Sequence, residues 1–95
     1  MPKTLIVPCV HLNGSGKDNL MEDLDRAYSA VGLAYEALRK VDVNARDYYP
    51  YGQEAYQRAR REHLDRQKRI DSVIKEIGAI ICGIADNEKE VEVEE

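Results

Sequence analysis

From Lys17 to Val41 the apolar positions Leu20, Leu24, Ala27, Tyr28, Val31, Ala34, Tyr35, Leu38 and Val41 recur three and four residues apart. That is the spacing of one face of an α-helix. The pattern breaks in VDVNARDYYPYGQ, where Asn44, Pro50 and Gly52 interrupt it and Asp47 can hydrogen-bond within a turn. It resumes from about Gln53 to the region of Gly83. There Tyr56, His63, Ile70, Ile77 and Ile84 fall at intervals of seven, with Ala59, Val73 and Ile80 between them. Two helices over about 16–41 and 53–85, joined by a loop of this size, fold back antiparallel as a hairpin. The expected fold is all-α.

The pattern also marks out three regions. Residues 1–12, with the apolar TLIVPCV, read as an extended N-terminal arm; 13–85 as the helical hairpin; and 86–95, DNEKEVEVEE, as an acidic disordered tail. Ser15 followed by Asp18 resembles a capping box at the start of the first helix, with Asn13 and Gly14 turning into it. The second helix carries isoleucine or valine at 70, 73, 74, 77, 80, 81 and 84, a face too broad for one neighbouring helix. A homo-oligomer in which hairpins pair into a helical bundle would cover it, most simply a dimer. The N-terminal arm folding over the same face is a second explanation, and the two are compatible.

The chain has 95 residues, 43% hydrophobic and 34% charged, the composition of one small soluble domain. The longest apolar run, IGAIICGIA from Ile77 to Ala85, is short of the roughly 20 residues that span a bilayer, and the start is too short for a signal peptide. Cys9 and Cys82 make neither a disulfide framework nor a zinc site by themselves, so a reducing cytoplasm is the expected setting. The formal charge of −4 divides into −5 in the last ten residues and +1 in the body. Within the body, RARREHLDRQKR, from Arg58 to Arg69, holds six basic residues against two acidic ones. Its plainest role is a solvated helix face that makes one end of the domain positive. A run of this kind can neutralise phosphates, but an acidic tail and a pI near 5.2 argue against a protein devoted to DNA.

The stretch HLNGSGKDNL resembles a nucleotide-hydrolase phosphate loop only superficially. His11 stands where the first glycine is needed and Asp18 where the hydroxyl is needed. As a helix start it can still offer free N–H groups to an anion. Cys9 and His11 share a parity on an extended strand, yet no third or fourth metal ligand stands near them. His63, on the inward stripe of the second helix, reads as a packed histidine with a hydrogen bond. No nucleophile or carboxylate pair is matched to a base in a way that suggests turnover, so no enzymatic activity, cofactor or metal is expected. All six aromatic residues are tyrosines, and Tyr48, Tyr49 and Tyr51 cluster with Arg46 and Asp47. Such rings either stack on a planar ligand or plug the end of the bundle while Asp47 caps the turn.

The pattern H-x-N-G-S before the first helix and N-x-R-D-Y-Y-P before the second resembles a family of small uncharacterised proteins of tailed bacteriophages and prophages, over residues 11 to about 85. Gly16 departs from a second hydroxyl residue associated with that pattern. The resemblance implies a viral genome context and no particular chemistry. A helix of about 24 residues spans roughly 35 Å, so the two motifs lie at opposite ends of one hairpin. They can meet only between antiparallel chains, with His11, Asn13 and Lys17 from one and Arg46, Tyr48, Tyr49 and Arg58 from the other. The expected function is non-enzymatic sequestration of a nucleotide-like anionic host immune signal between subunits, in the manner of phage sponge proteins. The alternative is a helical adaptor that binds and inhibits a host defence or phage protein through its apolar face.

Overall fold

The computed structural model describes residues 1–11, 14 and 16–94. In chain order they form strand β1 (Pro2–Ile6), helix α1 (Lys17–Arg39), a 3-10 helix (Ala45–Tyr51), helix α2 (Gln53–Ala85) and strand β2 (Glu90–Glu94). The two long helices run antiparallel: Tyr28 lies against Gly78, while ten residues further along α1 Leu38 shares a groove with Arg66. The hairpin is therefore as the periodicity predicts. Because α2 has 33 residues to the 23 of α1, its first turns project beyond the partner helix and are covered by the 3-10 helix.

Local chemistry sets each boundary. The N-cap of α1 is Gly16, whose carbonyl accepts from Leu20 N–H at 3.0 Å; Ser15, the expected cap, and Asn13 lie outside the described residues. The last turn of α1 closes with bonds from Lys40 to Ala37 and from Val41 to Leu38, the tight pattern that ends a helix. The cap of the 3-10 helix is Asn44, whose side-chain oxygen accepts from Arg46 N–H at 3.0 Å, in place of the Asp47 cap expected. Gly52 then turns the chain into α2 at φ 95°, a conformation that strains other residues.

The tail corrects the sequence reading, and with it the all-α class. Asn87 takes the left-handed conformation, φ 57°, immediately after the C-cap of α2. Its N–H bonds to Ile84 C=O at 3.2 Å, and Glu88 N–H bonds to Gly83 C=O at 2.9 Å. This double closure is a Schellman motif, and it redirects the chain back along the helix. The alternation EVEVE then reads as a strand with Val91 and Val93 turned inward and Glu90, Glu92 and Glu94 outward. It pairs antiparallel with β1, Pro2 opposite Glu94 and Ile6 opposite Glu90, and Val7 N–H extends the ladder to Lys89 C=O at 2.8 Å. The apolar arm thus does cover part of the isoleucine face, together with a tail strand that the charge run concealed.

The sheet sits on the last third of α2. Lys3 Nζ reaches Glu76 Oε2 at 3.1 Å, and Val7 and Val91 close on Gly83. A Cβ at Gly83 would stand 2.7 Å from Val7 Cγ2 and 2.9 Å from Val91 Cγ1, so only glycine permits this approach. Among the described residues Val7 and Ile84 are the only buried hydrophobic side chains, and α1 buries none. The molecule measures 61 × 27 × 17 Å, with a radius of gyration of 18.3 Å; a compact chain of about 100 residues has about 13 Å. No helix among the described residues is long and apolar enough to cross a membrane.

Gly83→Ala is expected to lower stability by about 1–3 kcal/mol, the cost of overpacking, and to expose both termini to proteolysis. Gly32→Ala, where a Cβ would meet nothing within 4 Å, is expected to raise stability by about 0.5–1 kcal/mol. Thermal unfolding of the two variants beside the parent checks both.

Candidate functional site

Six of the seven candidate residues are among those described, and they divide between the two ends of the molecule. At the sheet end His11 and Lys17 are both exposed, Lys17 opening α1; Asn13 lies outside the described residues. The His11 ring folds back over the turn, where a Cβ on Gly14 would stand 3.0 Å from its Nε2, and Gly14 N–H donates to His11 C=O at 3.2 Å. At the other end Arg46 is exposed on the 3-10 helix. Tyr48 is half-buried and meets Tyr56 with ring centroids 6.5 Å apart at 46°. Tyr49, 70% exposed, faces a different depression, one lined by Ala45, Gly52, Gln53 and Tyr56. No pair from opposite ends comes together within one chain.

Of these residues the structure joins Tyr48 and Arg58, in a shallow depression with Tyr51, Glu54 and Glu62. The Arg58 guanidinium is bound to Glu62 at 3.0 Å, and Glu54 adds a second negative charge. For an anion this is a poor environment. Tyr48 braces the loop against α2, while Tyr51, 77% exposed, leaves its ring in solvent.

A different surface has the shape of a binding site. Ala30, Val31, Ala34 and Leu38 of α1 and Arg66, Arg69, Ile70 and Val73 of α2 line an open groove of about 720 Å³. Its floor is apolar, and two guanidinium groups stand on one side. Asp65 accepts from Arg69 Nε at 3.0 Å, whereas Arg66 makes no ion pair with a described residue. Sequence reasoning passed over both arginines because they lie in the basic run read as a solvated face. The signal was their spacing, since 66, 69 and 73 follow one helical stripe that mixes arginine with valine.

His63 is buried, 8% exposed, as its place on the inward stripe predicts, but its Nε2 has no hydrogen-bond partner among the described residues. No group of three or more His, Cys, Asp or Glu among the described residues could hold a metal. Cys9 and Cys82 are free and exposed. Comparison of the chain with protein-family models, with characterised proteins and with solved structures finds no match.

A buried acceptor or donor left unpaired costs about 1–3 kcal/mol. Replacing His63 with leucine removes that penalty at similar volume, so His63→Leu is expected to melt at the same temperature as the parent or higher. A fall of several degrees would mean that the imidazole makes a bond the protein depends on.

Proposed function

We propose that this protein is a non-enzymatic binding protein of phage or prophage origin that sequesters an anionic, nucleotide-like host signal in the host cytoplasm. Its site is the groove between α1 and α2, closed by a second subunit. The observation that carries this reading is the pairing of an apolar floor with Arg66 and Arg69 in one cleft. A flat ring system is recognised by burial against aliphatic side chains, and phosphate oxygens by guanidinium donors. The residues at the two ends of the hairpin, His11 and Lys17 at one and Arg46, Tyr48, Tyr49 and Arg58 at the other, become an outer rim to such a site when chains pair antiparallel.

The second reading is a helical adaptor that takes an amphipathic helix of a host or phage protein into the same groove. It is favoured by the exposure of Leu33 at 73% on α1 and of Val41 at 54% just beyond its end, an apolar surface larger than a nucleotide needs.

Incubating the purified protein with cyclic dinucleotides, cyclic trinucleotides and ADP-ribose derivatives, then releasing bound material by heat, tests the first reading. The expected result is one ligand recovered unaltered, with Arg66→Ala weakening it at least tenfold and Arg46→Ala changing it little. No binding across the panel leaves the adaptor reading, under which small molecules do not shift the melting temperature. An altered ligand on release would make the protein an enzyme.

A further inference from the structure

We infer that the α1/α2 groove is the face on which a second copy of this chain packs, in antiparallel orientation, so that two hairpins form a four-helix bundle. Three observations specify the occupant and its direction.

The first is area. The chain exposes 7391 Å², against about 5,500 Å² expected of a compact monomer of its 10.8 kDa mass. The excess is more than twice the roughly 800 Å² that each partner contributes to a standard interface. A chain 17 Å thick is a single layer of helices, and a stable core needs two.

The second is continuity. Residues 66, 69, 73, 76, 80 and 83 of α2 follow one stripe at spacings of three and four. The terminal sheet covers its last part, from the Lys3–Glu76 ion pair to Gly83, and stops there. Arg66, Arg69 and Val73 continue the same stripe uncovered. On α1 the matching surface is made of small residues, Ala30 and Ala34, with Leu33 beside them, which lets a second helix approach closely.

The third is charge. Residues 39–69, which build the loop end of the hairpin, carry nine basic and five acidic side chains, a net +4. The remainder, which builds the sheet end, carries −8. Parallel pairing would set the two acidic ends side by side. Antiparallel pairing sets the acidic end of each copy against the basic half of α2 of the other. The second copy is the same subunit that closes the ligand groove, so the ligand reading needs this pairing, whereas the pairing is measured without a ligand.

Sedimentation of the free protein at increasing concentration is expected to give twice the chain mass. Ala34→Arg, on an exposed position of the groove, is expected to give a monomer that keeps its helical circular dichroism. Orientation is read by spin-labelling the exposed Cys82 in a Cys9→Ser background. With the two-fold axis near Ala34 and Ile70, the labels lie about 36 Å apart along the bundle, from about 1.5 Å per residue; a parallel pair brings them within about 20 Å. A monomer throughout the concentration range, an Ala34→Arg protein that stays dimeric, or a short label distance would each overturn the inference. Failure of every nucleotide to bind would leave it untouched.

Discussion

The approach of the terminal sheet to α2 at Gly83 is the contact on which the rest of the fold depends. Two helices packed side by side have an interface but no interior, and a two-stranded sheet alone is marginal in water. Each needs the other. The missing side chain at Gly83 lets Val7 and Val91 come down onto the helix, and the two buried hydrophobic side chains among the described residues, Val7 and Ile84, are both found at this junction. The Lys3–Glu76 ion pair fixes the other end of the strand, but both groups are partly exposed. Such a pair adds at most about 1 kcal/mol, so the apolar contact carries the stability and the ion pair sets position.

The same junction organises the surface. By covering α2 only from Glu76 onward, the sheet divides one helical stripe into a finished part and an open one. The open part holds the groove, where Arg66 and Arg69 stand beside aliphatic side chains. By bringing Glu90, Glu92 and Glu94 back over the helix C-terminal end, the sheet also concentrates negative charge at the pole opposite the basic run. The groove and the charge separation are thus consequences of where the two chain ends pair.

Helix positions, the hairpin turn and the need of the isoleucine face for cover were legible in the sequence, because amphipathic periodicity and the breakers Asn44, Pro50 and Gly52 act locally. The sheet was half legible. EVEVE has the period of a strand, yet its charge resembles that of a solvated tail, and nothing near it in sequence offers a partner. Residues 2–6 and 90–94 find each other only after α2 has brought the ends together. The separation of His11 and Lys17 from Arg46, Tyr48, Tyr49 and Arg58 followed from helix length alone. The ion pair that occupies Arg58, the different directions taken by Tyr48 and Tyr49, and the unpaired Nε2 of His63 did not.

The amino-acid sequence by itself therefore determined the elements that depend on neighbours three to seven residues away: two helices, their facing stripes, the capped loop and the polarity of charge along the chain. Only the tertiary structure decided which residues far apart share a surface. Burial, register and hydrogen-bond satisfaction are properties of pairs such as Val7 with Gly83 or Ala34 with Ile70, and no local pattern encodes them. The groove lies in that second category, since its arginines become part of a cleft only when α1 lies down beside α2.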